Sequence, residues 1–261
     1  RIDLIDEDLL AKDRSKGIVH IYISPEENPN EAVSFLTERL TAEGIAHEID
    51  ENVCKNADWE NNWKKYFKPM PVGERLLIRP IWEQEYDAGD RAVLHLEPGL
   101  AFGSGTHDTT RLCLESLEKY AHEGKSILDV GCGSGILSIA GRLLGADSAV
   151  GVDIDALAVK TAQENGRTNG FDEPKFTVLK GSLTDKVTGK FDIIVANIVA
   201  DIIIVLCRDV KKYLNDGGVF ITSGIIEPRE QDVLAAFAEN GIEVVERHES
   251  GGWLCFEARV K

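Results

Sequence analysis

The run Asp129-Val130-Gly131-Cys132-Gly133-Ser134-Gly135 follows an apolar stretch that reads as a strand and precedes one that reads as a helix. Glycines at such a junction let backbone amides approach a ligand closely, and the helix N-terminus adds a positive field. Asp153 closes the next apolar run, where a carboxylate can accept from both hydroxyls of a ribose. This combination suits a ligand that carries a nucleoside. The plain alternative is a glycine turn that only packs helix on strand. The order strand, loop, helix, strand, acid argues against it.

Two kinds of cofactor use a site of this type. The dinucleotide fingerprint G-x-G-x-x-G needs glycine at 136, where this chain has Ile136. The pattern here is D-x-G-x-G-x-G, and it resembles that of class I methyltransferases, which bind S-adenosylmethionine. Asp129 suits that ligand, whose sulfonium and ammonium are cationic, whereas a pyrophosphate would repel a carboxylate. "FDIIVAN" ends a strand at Asn197, and in an open α/β sheet ligands lie at the carboxyl ends of the strands. Methyltransferases of amino or amide nitrogen often carry Asn or Asp at this place, where the side-chain oxygen can aim the attacking lone pair. The plain role for Asn197 is to cap the helix that follows.

These residues need a frame. Helical spacing covers 106–121, 134–144, 155–169, 200–213 and 228–240, and strands such as "SILDV", "SAVGVDI", "KFTVLKG", "FDIIVANI" and "GGVFITSG" alternate with them. That rhythm predicts a parallel, doubly wound α/β sheet. The last two strands, "IEVVERHES" and "WLCFEARVK", are separated only by a short turn at Gly251-Gly252 and should pair as an antiparallel hairpin at one end. That hairpin is also a feature of the class I methyltransferase sheet. Upstream, "GIVHIYIS", "NPNEAVSFLTERLTAEG" and "IAHEIDE" read as strand, helix and strand of a small α+β unit. "DWENNWKKYFKPMP" reads as a linker helix, and "GERLLIRPIWE" and "RAVLHLE" as further strands.

The chain has 261 residues and a net charge of −16, which argues against nucleic-acid binding. Residues 1–60 hold 15 acidic against 6 basic side chains, a net of −9, so more than half of the excess lies in the first quarter. This suits a positively charged partner. The five cysteines (Cys54, Cys113, Cys132, Cys207, Cys255) show neither metal-knuckle nor redox-pair spacing, so no metal site is expected and a reduced, cytoplasmic location is. The longest apolar run, 193–206, is interrupted by Asn197 and Asp201 and is no membrane span. No signal peptide is visible, and the only methionine is Met70, so the chain reads as trimmed at its start.

Several blocks then point to one family. "LEPGLAFGSGTHDTTRLCLE", "LDVGCGSGILSIAG", "VGVDIDALAVKTAQENGRTNG", "ANIVADI", "DWENNWKKYFKPMPVGERLLIRPIWE" and the tail from "GIIEPREQ" closely resemble the ribosomal protein L11 methyltransferase family (PrmA). The resemblance implies a class I, Rossmann-like methyltransferase domain over 72–261, a linker helix over 55–71, and a small ferredoxin-like substrate-recognition domain over 1–54. It implies methyl transfer from S-adenosylmethionine to lysine ε-amines and the N-terminal α-amine of a basic large-subunit ribosomal protein. Nothing in the sequence demands a multimer, so a monomer that binds neither nucleic acid nor membrane is expected. It places Thr110, Gly131, Asp153 and Asn197 at the cofactor, together with Asp129, Gly133 and Gly135 of the loop. It places Phe102, His107 and Asn197 at the reacting amine.

The stretch 96–118 has no lysine after its glycines, so it is not a phosphate-binding loop of the G-x-x-x-x-G-K type. Thr106 or Asp108 can cap its helix. By position it should fold over the glycine loop as a lid. His107 is a candidate proton acceptor, set against the plainer role of a hydrogen bonder at a helix start. The alternatives that stay open are a methyltransferase for another protein or a small amine, a nicotinamide oxidoreductase, and a binding module that has lost turnover.

Overall fold

The computed structural model describes residues 68–83, 86–97 and 105–261, with the isolated positions 37, 40, 44–46 and 49. The expected N-terminal domain, the linker helix before residue 68 and Phe102 lie outside the described residues. The chain divides into two compact units, Arg1–Asn61 and Asn62–Lys261.

The second unit opens with three short strands, β1 (Met70–Val72), β2 (Leu76–Pro80) and β3 (Ala92–Leu96). They form their own sheet, β1 antiparallel and β3 parallel to β2. Helix α1 (Asp108–Tyr120) follows. Then come β4 (Ser126–Val130), α2 (Ile136–Leu144), β5 (Ser148–Asp153), α3 (Ala156–Thr168) and β6 (Phe176–Lys180). The second half runs β7 (Phe191–Asn197), α4 (Ala200–Tyr213), β8 (Leu214–Ile226), α5 (Glu230–Glu239), β9 (Ile242–Ser250) and β10 (Trp253–Val260). The large sheet has the order β6-β5-β4-β7-β8-β10-β9. Its strands β4 to β8 pair in parallel, and β10 is antiparallel to both β8 and β9. The doubly wound sheet and the terminal hairpin expected from the sequence are both present.

Period-two alternation builds two cores from one sheet. Ile127, Ile193 and Val195 face one cluster, which includes Leu112, Leu117, Ile139 and Ala162 from α1, α2 and α3. Leu128, Val130, Ile194 and Ala196 face the other, with Ile203, Leu206 and Val210 of α4 and Val233 and Phe237 of α5. Strands covered on both faces read as near-continuous apolar runs, which is how "ILDV" and "FDIIVA" look in the chain.

The order reverses between β4 and β7, because β5 lies on one side of β4 and β7 on the other. In open α/β sheets a ligand crevice forms beyond the carboxyl ends of the strands at such a switch point. The loops after β4, β5 and β7 therefore share one edge, and they carry Gly131–Gly135, Asp153 and Asn197.

Element ends differ from the sequence reading. The first helix begins at Asp108, and its N-cap is His107, not Thr106 or Asp108. Periodicity places α5 from 228, but Pro228 sits in a 3-10 turn over Glu227–Arg229 and the α-helix starts at Glu230. Strand β8 spans 13 residues, longer than "GGVFITSG", because Leu214 already pairs with Phe191 before the register shifts.

Candidate functional site

Helix α2 begins on Gly135, a residue with no side chain to cap it. The sequence supplies the cap from elsewhere. Asp129 on β4 accepts at Oδ2 from the Ser138 backbone N–H at 3.1 Å and from the Ser138 hydroxyl at 2.7 Å. An orphan donor of the first helical turn is thereby satisfied. Asp129 is fully buried, and its second oxygen, Oδ1, has no hydrogen-bond partner among the described residues. Burial pushes its carboxyl up to about 7, against the pull of the two Ser138 bonds and with a further push from Asp153.

The glycine loop does not present its amides as an anion cradle. Gly131 N–H and Cys132 N–H donate to Val152 O, Gly133 N–H to Asp153 Oδ2 and Gly135 N–H to Cys132 O. Four of the loop's amides, those of Gly131, Cys132, Gly133 and Gly135, thus donate within the protein. What glycine provides is conformation and room. The φ angles at Gly131, Gly133 and Gly135 are +74°, +54° and +80°, and a Cβ on Gly131 would collide with the Ile198 side chain.

Asp153 ends β5 beside this loop. Its Oδ2 accepts from Gly133 N–H at 2.8 Å and its Oδ1 from Asp155 N–H at 2.9 Å. Each oxygen keeps a second lone pair, so a fixed carboxylate is still able to accept from two hydroxyls.

Asn197 ends β7, with Nδ2 donating to Thr110 Oγ1 at 3.3 Å. Thr110 is fully buried in the first turn of α1. With its amide nitrogen turned to Thr110, Asn197 has Oδ1 as the remaining acceptor. His107 accepts at Nδ1 from Thr109 N–H at 3.3 Å, and the Thr109 hydroxyl lies 2.8 Å from the same nitrogen. The structure thus brings His107, Thr110 and Asn197 together at one end of α1. Gly131, Gly133 and Gly135 form the adjoining loop, and Asp129 and Asp153 lie on the two strands beside it.

Three contributors were not singled out in the sequence. Trp253, the first residue of β10, packs edge-on against His107, with ring centroids 5.0 Å apart. The hairpin tip before it is fastened to α1. Asp108 Oδ1 accepts from Ser250 Oγ and Arg111 Nη2, both at 2.9 Å, and a Cβ on Gly251 would collide with the Asp108 carboxylate. Ser138 is the second, as the donor that fixes Asp129. The third is buried Asn165 of α3. Its Nδ2 donates to Ser134 O and Glu97 O, and its Oδ1 accepts from Glu97 N–H. One amide thus ties the glycine loop to the segment leaving β3. Asn169, one turn on, holds His95 N–H and C=O in the same manner. An i, i+4 pair of asparagines on the sheet-facing side of a helix was the available signal for the last of these.

A family model described as Ribosomal protein L11 methyltransferase (PrmA) matches residues 4–261. A ribosomal protein L11 methyltransferase of Clostridium perfringens is 42% identical over 267 residues, covering 99% of this chain and 84% of the relative. One from Clostridium botulinum is also 42% identical, over 265 residues, with the same coverage. The crystal structure of a ribosomal protein L11 methylase from Lactobacillus delbrueckii subsp. bulgaricus superposes with a TM-score of 0.70 at 35% identity, covering 75% of this chain and all of that one (100%). A methyltransferase complexed with SAH shares the fold alone, at 14% identity and a TM-score of 0.51 over 60% of this chain and 50% of that one.

Proposed function

The chain belongs to the ribosomal protein L11 methyltransferase (PrmA) family and is an S-adenosylmethionine-dependent protein methyltransferase, and we propose that it methylates lysine ε-amines and the N-terminal α-amine of ribosomal protein L11. The observation that carries this reading is the orientation of Asn197. Its amide nitrogen is held by Thr110, and its oxygen is the acceptor left for an amine N–H.

The residues present fit the cofactor: the unpartnered Asp129 Oδ1 supplies negative potential where a cationic ligand needs it, and Asp153 keeps lone pairs for a ribose. When bound, S-adenosylmethionine supplies a methyl group on a sulfonium, an electrophile with a good leaving group. The protein's task is then to position the amine and exclude water. Gly131 to Gly135, Asp153 and Thr110 are assigned to holding the cofactor, and Asn197 to aiming the nitrogen lone pair.

The amine must also lose a proton, since a free lysine has a pKa of about 10.4. Burial near positive charge lowers it. His107 is poorly placed to take that proton at Nδ1, because that lone pair holds the start of α1. We assign His107, with Phe102, to the wall of the amine pocket. The excess of acid in residues 1–60, 15 against 6, supports recruitment of a basic protein by the N-terminal unit. The protein is assigned as a monomer that binds no nucleic acid. Among the described residues no helix is long and apolar enough to cross a membrane.

The test is methyl transfer to unmethylated L11, with the product mapped by mass spectrometry. Methylated lysines and a methylated N-terminus are expected, and Asn197→Ala should lower turnover by about 100-fold, on the scale of losing one aligned polar group. Methylation of L11 at other side chains, or full turnover by Asn197→Ala, overturns the reading.

A further inference from the structure

The switch point divides the catalytic edge in two. The ends of β4 and β5 carry Gly131 and Asp153, the cofactor half. The ends of β7 and β8 and the start of β10 carry Asn197, Ile226 and Trp253. Trp253 pairs with Ile226 across β8 and β10, and its ring meets His107. A strip therefore runs outward from the amine site across three neighbouring strand ends.

That strip is apolar where a surface of this charge would ordinarily be polar. Val199, two residues after Asn197, is 63% exposed, Ile202 41% and Ile226 43%. Isolated exposed aliphatics need no explanation, but Val199 caps the helix two residues after Asn197, and Ile226 pairs with Trp253, whose ring meets His107. Acid lies beside them. Glu227 follows Ile226 directly and leans on Glu249, which holds its carboxyl above the usual range. Arg247 is shared between Glu230, at 2.6 Å, and Glu249, at 2.9 Å. Glu227 has no salt bridge among the described residues. Asp201, by contrast, is already paired to Arg229.

We propose that the ends of β7, β8 and β10 form a docking surface for the polypeptide segment that flanks the acceptor amine, a stretch of mixed apolar and basic residues. The proposal rests on the amine-methylation reading and names the part of the substrate that the catalytic domain itself holds. Two features select this occupant. The surface is continuous with the site at Trp253 and Asn197, so whatever presents the amine must cross it. The acid of Glu227 and Glu249, with Glu227 in no salt bridge among the described residues, complements a basic chain. Strands lie about 4.8 Å apart, so three ends span roughly 10 Å, the length of about three extended residues. A small free amine would leave that span uncovered.

The test uses the full chain with unmethylated L11, reading KM and kcat for the protein, cofactor affinity by calorimetry, and mass in solution by light scattering. Val199→Ser/Ile226→Ser should raise KM for L11 about tenfold, with kcat and cofactor affinity within about twofold of wild type. Glu227→Lys should raise KM about threefold at low salt, and high salt should remove the difference. All three side chains are exposed, so folding is not at risk, and thermal melting checks it. An unchanged KM overturns the proposal. So does a loss of cofactor affinity, which would assign the strip to the cofactor half. A wild-type dimer that the double variant dissociates overturns it in favour of a second copy of this chain. If the wild type leaves L11 unmodified, the parent reading fails and this one falls with it, an outcome distinct from a selective change in KM.

Discussion

The large sheet buries two carboxylates completely, Asp129 on β4 and Glu257 on β10, and they end at opposite extremes. Both are pushed up by burial. Glu257 nonetheless stays at about 2, because Tyr120 OH at 2.6 Å, Lys119 Nζ at 2.9 Å and His248 Nε2 at 2.8 Å all bond it. Asp129 has only Ser138 on one oxygen and rises to about 7. The same physics gives opposite results because one acid is fully partnered and the other is not. Glu257 is complete within the protein. Lys119 also bonds Glu246 at 2.6 Å, so the convergence of Glu246, His248 and Glu257, which could hold a metal ion, already contains a cation. Asp129 keeps an unmet demand for positive charge, and it lies under the loop to which we assign the sulfonium cofactor.

The largest expected effect is on the complete centre. Glu257→Gln removes the charge but keeps the shape, and should destabilise the fold by about 3 kcal/mol at neutral pH, the upper scale for hydrogen bonds to a charged group, because Lys119 and His248 are partly exposed and Lys119 keeps Glu246. Because the folded carboxyl lies below its unfolded value, its stabilisation is present above about pH 4 and is lost as pH falls towards 2. The gap between variant and wild type should therefore close in acid. Denaturant melts at pH 7 and pH 3 measure it. Cofactor affinity of the folded variant should not move. A fall in affinity would mean that the two centres are not independent.

The incomplete centre should respond with the opposite sign. Asp129 has a folded value near 7, above its unfolded one, so the folded protein holds a proton that the unfolded chain has released. Its stabilisation is full below about pH 4 and drains away as pH rises through 7. Between pH 5 and pH 7 the cofactor-free wild type should lose about 2 kcal/mol relative to Asp129→Asn. Saturating S-adenosylmethionine should reduce that loss, since a nearby cation favours the ionised acid. By the same linkage, wild-type affinity should rise about tenfold from pH 6 to pH 8 and the Asn variant's should stay flat. Parallel pH profiles for the two proteins would remove Asp129 from cofactor recognition.

The contrast also explains what the sequence made legible. Gly131, Asp153 and Asn197 are visible because each lies at or just past the carboxyl end of a strand in a local pattern, and the parallel, doubly wound sheet follows from the alternation of elements. Asp129 was visible as an acid, but its state depends on Ser138 one turn into the next helix and on burial that no spacing reports. The Glu257 centre was invisible, because Lys119 and Tyr120 lie more than 130 residues away in the chain. His107 as a cap was likewise hidden: any side chain with an acceptor near 106–108 would fit the pattern, and only the backbone angles at the turn choose among them. That the glycine amides face inward is a matter of hydrogen-bond direction, to which composition is blind.

The smallest effect separates two accounts of how the complete centre holds. His248 contributes one hydrogen bond, to Oε1, the oxygen that Lys119 also binds, while Tyr120 holds Oε2. If the bonds act independently, His248→Ala removes one of four, Ser116 being the other donor, and should lower stability by about 1 kcal/mol. The carboxylate would still have a partner on each oxygen, which Asp129 never has. If the partners polarise one another, losing His248 weakens the bonds from Lys119 and Tyr120 as well, and the loss should approach that of Glu257→Gln. The double variant decides between them. Independent bonds predict that His248→Ala adds nothing once Glu257 is Gln and about 1 kcal/mol when it is Glu, whereas a cooperative centre predicts a coupling nearer 3 kcal/mol.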